Sequence, residues 1–158
     1  MEAPDAEPLQ VGTQDVHEAV RGFKPGSAPG PSGLRGEHLK EAGGRANARG
    51  AATLGQLTRL VNLMAAGRMP EAVAPYFCGA NLFAAKKKDG GLRPVAVGET
   101  LRRLVAKCLA FKVAEEAAAF LTPLQFGVGV QGGCEAIVHA ARETLQDTSI
   151  PQDGSSAC

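Results

Sequence analysis

The middle of this chain contains two short apolar segments joined by a glycine-rich turn. Asn81–Ala85 precedes the turn residues Asp89-Gly90-Gly91, and Leu92–Val97 follows them. Glycine supplies positive φ without steric cost, so this arrangement predicts a β-hairpin. An isolated two-stranded ribbon is only marginally stable in water. We therefore expect the ribbon to pack against the helix that follows it.

The helix predicted after the ribbon has a regular apolar face. Its apolar residues recur at helical spacing and are Leu101, Leu104, Val105, Cys108, Leu109 and Val113. The polar face begins with Arg102 and Arg103 and ends with Glu115 and Glu116. The helix dipole favours the opposite order by about 0.3–1 kcal/mol per charge. Either the arginines keep positive charge near the hairpin, or the order is accidental.

Four cations lie beside the tip of the predicted hairpin: Lys86, Lys87, Lys88 and Arg93. Clustered cations can hold triphosphate oxygens. The formal net charge of the whole chain is only +1, which is not the basic balance typical of a free-standing nucleic-acid binder. Any anion-binding site must therefore be local.

Composition limits how deep a core the chain can build. Its 158 residues suit one domain, but they include no Trp, one Tyr and six Phe. Glycine and proline, at 20 and 10 residues, are frequent for a compact domain. We predict an α+β fold that is mostly helical with one β-hairpin. It is either a partial domain or a domain that needs more protein around it.

Helical periodicity predicts four further helices and one shorter helical turn. They cover residues 15–23, Leu34–Ala42, Ala51–Ala66, Cys134–Leu145 and a turn within Pro70–Tyr76. Gly67 is the expected C-cap of the third, and the apolar face of the last, which includes Cys134, is expected to be buried. Residues 1–12 and 146–158 lack periodicity and are predicted to be disordered.

Two segments are predicted as loops because proline and glycine interrupt any regular structure. Lys24–Gly33 (KPGSAPGPSG) is either a fixed loop suited to close approach of a ligand, or a flexible linker. Gly43–Gly50 (GGRANARG) is either a nucleic-acid contact or a solvated connector.

Several site classes are excluded by spacing. The four cysteines have no CxxC spacing, which argues against a zinc site. Gly127, Gly129 and Gly132 match GxGxxG, but the preceding segment contains Pro123 and no βαβ unit surrounds it, so a dinucleotide site is rejected. No residue set has the pattern of a catalytic or metal site. Nothing resembles a signal peptide or membrane span, so an intracellular protein with no membrane partner is expected, its compartment being either cytoplasmic or nuclear.

Three segments of the chain form a series: Gly26–Leu34, Lys86–Val97 with Lys107, and Gln125–Arg142. In order and approximate spacing they resemble the fingers portion of the reverse transcriptase domain of non-long-terminal-repeat retrotransposons. The first is similar to the family's SPGPDG loop and the second to its RPIsl segment. The resemblance implies that residues 13–145 are a partial reverse transcriptase domain.

The resemblance implies a nucleotide site at the hairpin. Arg93 would contact the triphosphate of an incoming deoxynucleotide and stack toward its base. One of Lys86, Lys87 and Lys88 would help to neutralise phosphates, and the residues leave open which one does so.

The resemblance also implies a template site and partners. Pro29, Gly30 and Gly33 would belong to a loop near the template RNA. Mg²⁺ and deoxynucleotides would serve the complete family domain, with an RNA template and a DNA primer as partners.

The chain departs from the family pattern at three places. Gln131-Gly132-Gly133 stands where the family has a more polar, often basic loop. Ser32 stands where the family has Asp. After Arg142, where the family's first metal-binding Asp would follow in a hydrophobic strand, the chain reads Asp147-Thr148-Ser149-Ile150-Pro151, and no YxDD element is present. We therefore expect a fragment that lacks the palm, has no catalytic or metal-binding residue and is inactive alone. The alternative is a small, non-enzymatic nucleic-acid-binding or interaction module, whose binding would weaken steeply with salt.

Overall fold

The computed structural model describes residues 7–43, 48–123, 125–127 and 130–146. The elements in this part of the chain are α1 (Thr13–Arg21), α2 (Gly36–Gly43), α3 (Ala48–Ala65), α4 (Ala74–Cys78), β1 (Ala80–Lys86), β2 (Leu92–Gly98), α5 (Thr100–Leu121) and α6 (Gly133–Gln146). The predicted α+β class is confirmed, because the described chain is mostly helical with one antiparallel hairpin. It forms two compact units, Met1–Lys112 and Val113–Cys158.

The first unit has a small core made mainly by helices α1, α3 and α5, and Leu39 of α2 packs against it. Its buried apolar residues are Val11, Val16, Ala19, Val20, Phe23, Val61, Leu104, Val105 and Cys108. Leu104 and Cys108 are fully buried, as the helical periodicity predicts. Burial raises the pKa of the Cys108 thiol, and the negative charge of Asp15 adds to that effect. The core contains one aromatic side chain, Phe23, which agrees with the composition.

Helix α3 differs slightly from its predicted bounds. α3 starts at Ala48 rather than Ala51, so the end of the predicted Gly43–Gly50 loop is helical, and residues 44–47 lie outside the described residues. At its other end the predicted C-cap is confirmed, because the Gly67 amide donates to Met64 O at 3.1 Å.

The segment before α1 is more structured than expected. Val11 is buried, and Asn62 of α3 binds both its amide (2.8 Å) and its carbonyl (2.9 Å). The Gly12 amide donates to Asp15 at 2.8 Å, which caps the first turn of α1. The prediction of disorder is therefore wrong for Val11 and Gly12. Residues 1–6 and 147–158, also predicted to be disordered, lie outside the described part of the chain.

Strands β1 and β2 pair antiparallel, with Ala80 opposite Gly98 and Lys86 opposite Leu92. Pro94 is opposite Ala84. Hydrogen-bonded and non-hydrogen-bonded pairs alternate along an antiparallel ladder. Counting back from the Lys87–Gly91 hydrogen bond puts Pro94 in a non-bonded pair, so its missing N–H removes no ladder bond.

Most of the ribbon is not covered by the rest of the first unit. Leu82 is 74% exposed and Leu92 68%, while Phe83 and Val95 on the other face are 48% and 38% exposed. The expectation that the ribbon packs along α5 is therefore wrong over most of its length. The sequence pattern that predicts a β-hairpin depends only on its two strands and its turn. It carries no information on what the faces of the hairpin contact.

In the second unit, α6 leaves its apolar face exposed. Ile137 and Val138 are each about half exposed, and Leu145 is 85% exposed. Cys134 is also exposed, so the prediction that this face is buried is wrong. Helical periodicity identifies residues that share a face, but it does not say whether another element covers that face.

A candidate phosphate-binding hairpin and the loop at its base

The tip of the hairpin is closed by a tight turn. The Gly90 amide donates to Lys87 O at 3.2 Å, and the Lys87 amide donates to Gly91 O at 2.8 Å. Gly90 has φ of +86°, which costs other residues strain. An Asp89 carboxylate oxygen accepts from the Gly91 amide at 3.0 Å. The turn chemistry therefore holds the chain reversal in one conformation, as the Asp89-Gly90-Gly91 sequence predicts.

All four cations predicted from sequence are brought together at this tip. A shallow cavity of about 490 Å³ is lined by Ala85, Lys86, Lys87, Lys88, Asp89 and Arg93. None of these four basic side chains forms an ion pair or a side-chain hydrogen bond with the described residues. With four cations against one aspartate here, the rest of the chain carries more acids than bases. The tip is thus a local positive site on a nearly neutral chain.

The ladder register separates the lysines. Arg93 is opposite Ala85, and Lys86 is opposite Leu92. Side chains alternate between the faces of a ribbon, so Lys87 projects on the same face as Arg93 and Lys86 projects on the other. Gly91, whose carbonyl accepts a hydrogen bond from the Lys87 amide, adds no side chain beside them. The register therefore places Lys87, rather than Lys86, on the face that carries Arg93.

The loop Lys24–Gly33, called the Gly/Pro loop below, lies at the opposite end of the ribbon from the cations. Each strand is seven residues long, so the six steps from its base to its tip span about 20 Å at 3.3 Å per residue. In the loop, the Gly33 amide donates to Gly30 O at 3.1 Å, which closes a turn with Pro31 at its second position. This is a fixed loop rather than a flexible linker.

Gly30 packs directly against the backbone at the start of α5. A Cβ atom at this position would lie 2.5 Å from Glu99 Cα and 2.8 Å from Gly98 O. Gly30 is buried, Pro29 is half-buried and Gly33 is exposed. Of the three residues that the resemblance places near a template, Gly30 is therefore used for packing, and Pro29 and Gly33 remain accessible.

A buried carboxylate fastens this loop. Glu99 is 3% exposed, and it accepts hydrogen bonds from the Ser32 amide (3.1 Å) and the Ser32 hydroxyl (2.7 Å). The Thr100 amide also donates to it at 2.9 Å, and the Thr100 hydroxyl donates to Leu34 O. Ser32, which departs from the family's Asp, is thus complementary to Glu99, whereas an aspartate here would face another carboxylate.

The two arginines early in α5 also hold loops. Arg103 donates to Ala28 O at 2.8 Å, and Arg102 donates to Cys78 O at 3.3 Å. The side chain of Glu99 supplies the acid that the N-terminus of α5 favours. These arginines therefore bind the segments that contain Ala28 and Cys78, rather than adding charge to the hairpin tip.

The hydrogen bonds around Glu99 shift its ionisation. Burial acts to raise the pKa of Glu99, but the hydrogen bonds from Ser32 and Thr100 and the charge of Arg103 outweigh it, so the pKa is lowered from its ordinary value of 4.5. Because the folded state has the lower pKa, this group stabilises the fold fully above about pH 4.5. The contribution is lost as the pH falls through the lowered pKa of the folded state.

We expect Glu99→Gln to reduce the free energy of unfolding at pH 7 by about 1–3 kcal/mol. The amide nitrogen would face an N–H or O–H group that now donates a hydrogen bond to the carboxylate, and that bond would be lost. The difference from wild type should shrink as the pH falls from 7 to about 3. Urea denaturation at several pH values measures it. Glu116→Gln, at an exposed position of α5, is the control. A pH-independent difference would contradict the role given to the Glu99 charge.

A larger cavity lies beside the same loop. Its volume is about 730 Å³, and its lining includes Pro31, Leu34, His38, Tyr76 and Phe77. No pattern in the sequence indicates this cavity. Tyr76 and Phe77 follow a proline-containing break in the sequence, and only the folded loop brings His38 near them.

Two classes of site are not found among the described residues. They contain no group of three or more His, Cys, Asp or Glu side chains able to hold a metal ion. No helix in the described ranges is both long and apolar enough to span a membrane. Comparisons with protein-family models, curated proteins and solved structures found no match.

Proposed function

We propose that this chain is the fingers part of an RNA-directed DNA polymerase of a retroelement. Its hairpin tip would contact the phosphates of the incoming deoxynucleotide, and its Gly/Pro loop would face the template. The observation that carries the proposal is that two unpaired cations, Lys87 and Arg93, lie on one face of an exposed hairpin tip.

The chemistry of the tip suits a triphosphate. The guanidinium of Arg93 is planar and can bind two phosphate oxygens at once, whereas the ammonium of Lys87 is a compact point charge. On one face of the ribbon the two can contact neighbouring phosphates. Asp89 is occupied by the Gly91 amide, so its hydrogen-bonding capacity is directed into the turn.

The base of the ribbon supports the template role of the loop. Ser32, Glu99 and Arg103 hold the loop in one conformation, so the positions of Pro29 and Gly33 are defined before any ligand binds. A preformed loop costs less conformational entropy on binding than a flexible one. The proposal therefore assigns template contact to Pro29 and Gly33, and not to Gly30.

Mg²⁺ is implied for the complete family domain, but the described residues do not fit it. They contain no cluster of candidate ligands, and the tip is cationic. The proposal therefore routes no step through a metal in this part of the chain. It is limited to binding and orienting phosphates.

The test is the affinity of the purified chain for labelled dUTP and dUMP, measured by fluorescence anisotropy at two salt concentrations. We expect dUTP to bind more tightly than dUMP, and Arg93→Ala to weaken dUTP binding at least tenfold, because a hydrogen bond to a charged group contributes about 1.5–3 kcal/mol. Arg59→Ala is the matched control, since Arg59 is exposed on α3 and lines a different cavity.

Two results would contradict the proposal. One is equal affinity for dUTP and dUMP. The other is an Arg93→Ala variant that binds dUTP as tightly as wild type does, with an affinity that weakens steeply with salt, as for non-specific phosphate contacts. The second result would favour the small, non-enzymatic nucleic-acid-binding module.

A further inference from the structure

A second basic cavity lies among the helices of the first unit. It has a volume of about 360 Å³, and its lining residues are His17, Val20, Arg21, Lys40, Gly43 and Leu54. Three of these residues have basic side chains and none is acidic. The cavity shares no residue with the hairpin tip, so it is a separate feature of the molecule.

The arrangement of α1 explains how the cations gather there. His17 and Arg21 are one helical turn apart and so lie on one face of the helix. The acids of α1 are engaged elsewhere: Asp15 binds Lys112 at 2.9 Å, and Glu18 accepts from Gln14 at 2.8 Å. No acidic residue of α1 therefore neutralises the cavity.

Helix α2 contributes the third cation. Lys40 donates one N–H to Phe23 O, just after the end of α1. A lysine ammonium has three N–H donors, so two remain for another partner. The side chains of His17 and Lys40 are both partly buried, which distinguishes them from freely solvated surface cations.

Other packed basic side chains of this unit have an oxygen partner. Lys107 donates to Gly22 O at 2.8 Å, and Lys112 pairs with Asp15. Within the residues that the structure describes, the side chains of His17 and Arg21 form no hydrogen bond or ion pair. Among the described residues, the side chains of His17 and Arg21 thus lack the oxygen acceptors that Lys40, Lys107 and Lys112 have.

We propose that this cavity binds a phosphate group, with Arg21, Lys40 and His17 as its ligands. Arg21 can bind two phosphate oxygens, and Lys40 supplies a point charge. Val20 and Leu54 form an apolar part of the lining, where the carbon atoms attached to a phosphate ester would lie. The proposal does not depend on the function proposed for the hairpin.

The phosphate could belong to a free phosphate or phosphomonoester, or to the backbone of a nucleic acid, and the experiment separates these sources. Inorganic phosphate and a short single-stranded oligonucleotide are titrated separately into the ¹⁵N-labelled chain. Amide and side-chain resonances of His17 and Arg21 are followed by NMR. We expect saturable shifts at both residues, and binding about tenfold weaker in Arg21→Gln because a bidentate charged contact is lost.

Arg21 is exposed, so its replacement should not disturb the core, and Arg59→Gln on α3 serves as the control. Shifts with inorganic phosphate that Arg21→Gln abolishes support a site for free phosphate groups. Shifts with the oligonucleotide alone, likewise lost in Arg21→Gln, support a backbone phosphodiester. The proposal is overturned if neither probe shifts these residues, or if Arg21→Gln binds as wild type does.

Discussion

Replacing Gly30 by alanine is expected to destabilise the first unit by about 1–3 kcal/mol, the usual cost of forcing extra atoms into a packed site. The added Cβ would lie 2.5 Å from Glu99 Cα. That contact involves backbone rather than the flexible end of a side chain, so the loop itself must move. Moving it would also weaken the hydrogen bonds from Ser32 to Glu99.

The fluorescence of Tyr76 provides a local measurement of this effect. It is the single tyrosine of a chain without tryptophan, and it lines the cavity beside the loop. Urea denaturation followed by this signal reports on the first unit. Gly55→Ala is the matched control, because its added Cβ meets nothing within 4 Å, and helix propensity favours alanine there by about 1 kcal/mol. A Gly30→Ala variant as stable as wild type would show that the loop does not pack closely on Glu99.

The second large effect is expected at the hairpin tip, where neighbouring lysines should behave differently. Lys87→Gln should weaken dUTP binding about tenfold, because it removes a charged phosphate contact, as is also expected of Arg93→Ala. Lys86→Gln should change the affinity by less than about threefold, since its side chain projects on the opposite face. Anisotropy titrations of the three variants at one salt concentration measure this difference.

The comparison of Lys86 with Lys87 is informative because both changes remove one charge from adjacent positions. A purely electrostatic tip would respond equally to either replacement, since both charges lie within a Debye length of about 10 Å of the same phosphates. Equal losses would therefore refute the assignment from the ladder register. A double Lys87→Gln/Arg93→Ala variant that loses less than the sum of the single effects would indicate that the two residues contact the ligand together.

Local patterns predicted the elements of this fold well. Three of these features depend on residues close in sequence: the turn at Asp89-Gly90-Gly91, the buried face of α5 that includes Leu104 and Cys108, and the C-cap of α3 at Gly67. Each is governed by backbone preference or helical period, which act over a few residues. These are the features that the structure confirms.

The contacts that position the loop could not be predicted in this way. Ser32 and Glu99 are 67 residues apart, and neither belongs to a pattern that identifies the other. In the sequence, Ser32 differs from the Asp of the motif that the loop resembles, and Glu99 belongs to no recognisable motif. The register that separates Lys86 from Lys87 likewise depends on which strand residues are paired, and a shift of one residue would exchange their faces.

The exposed ribbon also has a consequence for the behaviour of the chain in solution. A two-stranded sheet leaves the outer edge of each strand unpaired, and such edges can pair with strands of other copies. Asn81–Ala85 carries no charge, so it resembles the segments that associate in this way. The lysines after it and Pro94 opposite it are the kinds of residue that suppress edge-to-edge association. The same cations that are proposed to contact phosphates would thus also protect the ribbon from self-association.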